Sequence, residues 1–465
     1  MAVALGGSLL VGCALGPDYH RPAVTAPESW RTPTADSHSI AQIAWWNYYH
    51  DPVLTNLITI ALTNNLDLRL AVDRLAEAAG SLRGQRSYFL PTVNGNGTYT
   101  RSDVGDAPVV NQYSLLGSLA YEVDVWGRLR RLSEAAQAQY LAAASTRNAV
   151  QISLIASVAS TYFNLRGLDQ QLEIARNTAK SRTNILALTK IKYNGQADGH
   201  GYGIVSEIDV RQAESQVYTA NSTIASLEQA IAIAENSLRY LLGLNPGPIP
   251  RGQPLTEQPL PDAIPAGLPS ELLLRRPDIQ AAEEKLVAAN ANIGAARAAY
   301  FPTISLTAAL GVQSLQLNDL FSLGSSRIWS FSPQITAPIF NAGRIAAGVA
   351  IARAQKDEAV ASYQQAIQNG FQEVDNALAS VTALRAKLVA DEGYVHAEQR
   401  LFELAQLRYT EGIASYSDLL DAQRYLFAAQ LQAVQTRASL LVAVAQLYQA
   451  LGGGWTTPTS SPHSH

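Results

Sequence analysis

Residues 113–125 read YSLLGSLAYEVDV, where Tyr113, Leu115, Gly117, Leu119, Tyr121, Val123 and Val125 alternate with Ser114, Ser118, Glu122 and Asp124. A period of two puts one set on each face of a β-strand. The pattern returns later in the chain. Ile304, Leu306, Ala308, Leu310 and Val312 alternate with Ser305, Thr307 and Gln313, and Trp329, Phe331, Ile335 and Ile339 alternate with Ser330, Ser332, Gln334 and Thr336. Strands apolar on one face and polar on the other, with aromatic residues near their ends, suit the lipid-facing and lumen-facing sides of a membrane barrel. Alternation alone fits a half-buried soluble sheet equally well.

The strands belong to an internal repeat. SYFLPTV around Pro91 answers AYFPTI around Pro302, and DVWGRLR around Gly127 answers FNAGRIA around Gly343. IDVRQAESQ from Ile208 answers SDLLDAQRY from Ser417, and the halves end on SLRYLLGL from Ser237 and AQLYQALGG from Ala445. Two copies of about 200 residues, each running helix, strand, strand, long helix, helix, imply a pseudo-twofold protomer. No proline occurs from Arg128 to Leu244 or from Asn341 to Thr457. Within these runs Ile152, Ile155, Ala159, Tyr162, Leu165, Leu168, Leu172 and Ala175 step by three and four, as do Tyr363, Ile367, Phe371, Val374, Leu378, Val381, Leu384 and Leu388. Each series lies along one helical face. A single helix of roughly 65 residues in each run is about 100 Å long, which fits a tall coiled-coil structure rather than a globular core.

Composition narrows the function classes. The 465 residues carry 34 Lys plus Arg against 38 Asp plus Glu, a net charge of −4, so nothing favours a polyanion and no nucleic-acid partner is expected. One cysteine, Cys13, excludes a disulfide framework and a thiolate metal cluster. The preceding MAVALGGSLLVG is uncharged, too short to span a bilayer, and reads as the apolar core of a signal peptide. No positive charge precedes it, which departs from the signal-peptide pattern and points to a translation start further upstream. Every later apolar stretch is interrupted by Gln, Asn, Ser or a charge, so a membrane form must use a closed barrel. Residues 14–45 and Pro246–Pro269 are rich in proline and lack a period, as an outer leader and a linker would be. The expected division is a signal peptide at 1–12, a leader at 13–53, a first repeat at 54–245, a linker at 246–269, a second repeat at 270–452 and a tail at 453–465.

Four strands per chain cannot close a membrane barrel, because the smallest need about eight. Unpaired backbone groups in lipid cost several kcal/mol each, so the chain must assemble. Two chains supply eight strands and three supply twelve, and the strand pattern leaves both open.

Leu10-Val11-Gly12-Cys13 resembles the bacterial lipobox, which implies lipidation of Cys13, and the following Ala14 resembles the signal for sorting to the outer membrane. WWNYYHDPVLTNLITIALTNNLDLRLAV from Trp45, LPSELLLRRPDIQAAEEKLVAANANIGAARAAYFPT from Leu268 and RYTEGIASYSDLLDAQRYLFAAQ from Arg408 resemble the TolC-like and OprM-like outer-membrane factors. The resemblance is to their NodT-type lipoprotein branch, which serves resistance-nodulation-division (RND) pumps. It implies an α+β membrane protein: a homotrimer with a 12-stranded outer-membrane β-barrel on a long periplasmic α-helical barrel, anchored by lipid in the outer membrane. It also implies a periplasmic membrane-fusion adaptor and an inner-membrane RND pump as partners, and passive export of small molecules through a gated duct. An outer-membrane duct for type I protein secretion is the alternative function of the same architecture.

In that family, residues near the turn between the seventh and eighth helices form the periplasmic gate, and the matching positions are Tyr409, Asp418, Asp421 and Arg424. Threefold symmetry would ring three copies of each carboxylate around one axis, where like charges favour cations. The alternative is that Asp418 caps its helix and Asp421 complements the helix dipole. Ala414 stands where some relatives hold the partner of a gate-locking arginine. The first repeat carries a longer tip, GQADGHGYG at 195–203, expected to be mobile, and its His200 has no second ligand spaced nearby. No Gly-rich phosphate loop follows a strand, no histidine pair has zinc spacing and the seven histidines are scattered, so no catalytic site, cofactor or metal is expected. A purely structural coiled-coil protein of the envelope is the remaining rival, and the aromatic-flanked strands count against it.

Overall fold

The computed structural model describes residues 14–24, 26–32, 39–40, 43, 49–103, 105, 108–197, 205–260 and 266–454. Cys13 and His200 lie outside these residues. The first half runs α1 (Pro52–Asn64), α2 (Leu66–Ser87), β1 (Thr92–Ser102), β2 (Val110–Val123), α3 (Arg128–Ala197) and α4 (Glu207–Leu241). The second runs α5 (Pro269–Arg275), α6 (Pro277–Ala298), β3 (Thr303–Ser314), β4 (Arg327–Thr336), α7 (Arg344–Thr410) and α8 (Tyr416–Ala450).

Each half therefore has two helices before its strands where the sequence pattern suggested one. Asn65 is extended and its side chain accepts from the Leu68 N–H at 3.0 Å, which ends α1 and caps α2. In the second half Arg276 is extended because Pro277 follows it. The long helices are unbroken, as the missing prolines required. α3 has 70 residues and α7 has 67, about 100 Å each at 1.5 Å per residue.

Two compact units cut across the repeats, and each half contributes to both. The described parts of Met1–Thr25, Val72–Thr146 and Asp278–Ile367 form one unit, which contains the sheet. Its strand order is β1-β2-β3-β4, every pair antiparallel. The register aligns Val93, Leu119, Ala308 and Phe331 in one row, and Gly95, Gly117, Leu310 and Trp329 in the next equivalent row. Between them lies the row Asn94, Ser118, Ala309 and Ser330 on the other face. One face is thus apolar and open, with Leu310 63% and Trp329 73% exposed, while the opposite face is polar. β1 and β4 each keep one edge unpaired among the described residues.

β2 ends before Asp124 and Val125 because Asp124 turns to serve α3. Its carboxylate accepts from the Leu129 and Arg130 N–H groups, both at 3.0 Å. Gly127 allows this turn: its φ is +74°, and a Cβ there would lie 2.8 Å from the Ala14 Cα. The described leader residues 14–24 are fastened to the unit. The Arg21 guanidinium grips Glu283 at 2.6 and 2.7 Å, and Arg131 reaches Asp18 at 2.9 Å.

The second unit holds the described parts of Ala26–Ala71, Arg147–Pro277 and Gln368–His465. The helical faces read from the sequence supply its core: Ile155, Ala159, Tyr162 and Leu165 of α3 bury with Val374, Leu378 and Val381 of α7. Buried Asp51 ties α1 to this core. One carboxylate oxygen caps α1, accepting from the Val53 N–H at 2.9 Å, and the other accepts from the Tyr162 hydroxyl at 2.8 Å and the Gln253 N–H at 3.1 Å. The proline-rich stretch after α4 is consequently a packed strap, with Ile249 and Leu255 in the core.

Candidate functional site

The hairpins α3–α4 and α7–α8 turn beside one another in the second unit. Ser206 starts α4 and Ser415 starts α8, and both carry a capping box. At α8 the Asp418 N–H donates to Ser415 Oγ at 3.3 Å, and the Asp418 carboxylate accepts from the Ser415 hydroxyl at 3.0 Å and its N–H at 3.3 Å. α7 stops at Gly412, whose φ of +78° lets the Ile413 and Ala414 N–H groups reach the Arg408 carbonyl at 2.8 and 3.2 Å.

Tyr409 is buried at this tip. It packs edge to face on Tyr416 with ring centroids 5.8 Å apart, and its hydroxyl lies 3.1 Å from Thr189 Oγ1 of α3. Ile185, Ala213, Leu419 and Leu420 complete a small apolar cluster. Burial raises the phenol pKa of both tyrosines above the ordinary 10.0, that of Tyr416 to about 12. Lys192 of α3 grips the same helix end: its ammonium donates to the Tyr409 carbonyl at 2.7 Å and lies 4.5 Å from the centre of the Tyr409 ring. A cation on the last carbonyls of a helix satisfies orphan acceptors and complements the dipole.

The four positions singled out in the sequence thus have different surroundings. Tyr409 is packed inside and Asp418 is engaged in its cap. Asp421 and Arg424 face water, their side chains 59% and 61% exposed and separated by 3.8 Å, a loose pair able to meet ions. Sequence reasoning missed Thr189 and Lys192, whose contacts span about 200 residues and leave no local pattern. The capping boxes are Ser206-Glu-Ile-Asp209 and Ser415-Tyr-Ser-Asp418, so Ser415 is the cap of α8 and Asp418, expected as the cap, is its N3 partner. Among the described residues no helix is long and apolar enough to cross a membrane.

Known proteins share this architecture over nearly the whole chain. The toluene efflux pump outer membrane protein TtgF of Pseudomonas putida is 40% identical, the match covering 99% of this chain and 98% of that one. The solvent efflux pump outer membrane protein SrpC of Pseudomonas putida is 42% identical over 96% of this chain and 97% of its own. The open state of the Neisseria gonorrhoeae MtrE outer membrane channel superposes with a TM-score of 0.88 at 35% identity, covering 95% of this chain and 99% of that one. The α+β channel fold expected from the sequence is therefore the fold observed. The family model described as outer membrane efflux protein matches residues 57–244 and 268–453, one stretch in each half of the chain, and the chain belongs to that family.

Proposed function

We propose that three copies of this outer-membrane efflux channel join edge to edge into a twelve-stranded barrel, and that the homotrimer receives small molecules from an inner-membrane RND pump through a periplasmic adaptor. The open sheet carries the reading: its exposed apolar face suits lipid, and its unpaired β1 and β4 edges need partners there. Strands of 10 to 14 residues are long enough to cross the hydrocarbon layer. The toluene and solvent efflux relatives support small apolar organic molecules as cargo. In this reading Asp421 and Arg424 face the conduit at the periplasmic constriction, Asp418 fixes the start of α8, and Tyr409 holds α7 against α3. The anchor is a diacylglyceryl Cys13.

Purified protein in detergent should have a native mass near three times 49.9 kDa, less the signal segment and plus lipid. A monodisperse monomer with intact β-structure overturns the trimer. Mass spectrometry of the mature N-terminus tests Cys13, and a chain beginning elsewhere removes the anchor. Deleting the gene should lower survival in toluene, and restoring it should restore survival; unchanged survival refutes apolar solvents as cargo.

A further inference from the structure

Arg182 stands on α3 about four turns before its last residue. It is only 3% exposed, yet no carboxylate among the described residues acts on it. One guanidinium nitrogen, Nη1, donates to the Gln216 carbonyl of α4 at 3.0 Å, and the Nε–H has no acceptor among the described residues. The rest of the group lies over the Phe427 ring of α8, 5.2 Å from its centre. The groups acting on it electrostatically are the Tyr416 hydroxyl and the Arg424 guanidinium, the second a like charge. Burial is the main cause that holds its pKa below the ordinary 12.5, and Arg424 adds to it. Other buried arginines differ: Arg131 meets Asp18 and Glu134, and Arg276 meets Glu373.

A buried guanidinium without a counter-ion opposes the packing that buries it. The contacts around the charge come from α3, α4 and α8 of one chain. We propose that Arg182 is an opening device: an uncompensated charge, largely buried where three helices meet above the tip, that keeps the packed hairpins poised to separate. Separation of α8 from α3 lets more water reach the guanidinium, Nε included, so its hydration favours the separated arrangement. The proposal rests on the reading of the tip as the gate.

The test compares wild type with Arg182→Met and Arg182→Leu, which remove the charge with different volumes, and with Arg182→Lys, which keeps it. Each purified trimer is examined by amide hydrogen exchange and in planar bilayers. Both apolar variants should slow exchange in 178–186 and 416–427 by about tenfold, the lower part of the range for replacing buried charge with apolar side chains. They should reduce the open fraction similarly, while Arg182→Lys slows neither. Unchanged or faster exchange in both apolar variants overturns the proposal and leaves the gate reading intact. Slower exchange with an unchanged open fraction overturns the gate reading and, with it, the opening role.

Discussion

At the α3–α4 and α7–α8 turns the second helix starts on the same device. The Ser206 N–H donates to Asp209 at 2.7 Å, and the Ser415 N–H donates to Asp418 at 3.3 Å. The approaches differ. Residues 198–206 join the first pair and residues 411–415 the second, and Tyr193 is 37% exposed where Tyr409 is 1% exposed. With Tyr193 matched to Tyr409, Thr189 and Lys192 fall opposite Ala405 and Arg408. The repeat has kept the local cap in both copies and placed the cross-hairpin grip in one. Local capping needs only neighbouring residues, whereas a grip between hairpins depends on which helix lies alongside.

The largest effect separating the two tips should come from alkali. The Tyr416 phenol keeps its proton in the folded state up to about 12, against 10.0 ordinarily, so its contribution is complete below pH 10 and is lost as pH rises through 12. Up to about 2.7 kcal/mol is at stake for a shift of that size. Thermal melts at pH 9 and pH 11 should therefore show a drop that shrinks in Tyr416→Phe and persists in Tyr193→Phe. Equal drops in all three would break the distinction.

Next comes Lys192→Met, which removes the ammonium from the end of α7 while keeping most of the side-chain length. Loss of a charge-assisted bond to a carbonyl should cost the tip about 1.5–3 kcal/mol. Hydrogen exchange should rise across 405–416 and stay unchanged across 207–215; a rise shared by both tips would show that the grip is not one-sided. Smaller still are Ser206→Ala and Ser415→Ala, each expected to cost about 1 kcal/mol in denaturant unfolding. A cost at only one serine would mean that the matching caps are not equivalent.

The smallest stability effect belongs to Asp421→Ala, within about 0.5 kcal/mol because its side chain faces water. Reversal potentials in asymmetric salt should nevertheless shift toward anions, more so at low ionic strength. Intact selectivity together with a loss of about 0.5–1 kcal/mol would favour the dipole role over the pore role.

The strands and long helices were legible because their periods are local: two in 113–123 and 304–312, three and four along Ile152–Ala175 and Tyr363–Leu388. Their boundaries followed from side chains that the periods do not encode. Asp124 and Val125 continue the alternation of β2, yet Asp124 caps α3. Packing of the apparent leader and linker was invisible for the same reason. Trp30 donates its indole N–H to the Gly267 carbonyl at 2.8 Å, a pairing that no window of sequence contains. At the site, Tyr409 came from the family resemblance, and a cap at the start of α8 was expected of Asp418, where Ser415 holds the cap position and Asp418 answers it. Lys192 and Arg182 could not be read locally, since an isolated basic residue on a long helix usually marks a solvated face.

The two unpaired sheet edges also bear on biogenesis. β1 reads TVNGNGTYTRS, rich in glycine and asparagine, so its flank specifies register weakly before a neighbour is found. Until that meeting the nascent chain carries two adhesive flanks and an apolar face through an aqueous compartment, open to any extended peptide. Assembly then becomes a race between like chains and stray ones, and overproduction beyond the supply of periplasmic chaperones should divert a growing share into aggregates.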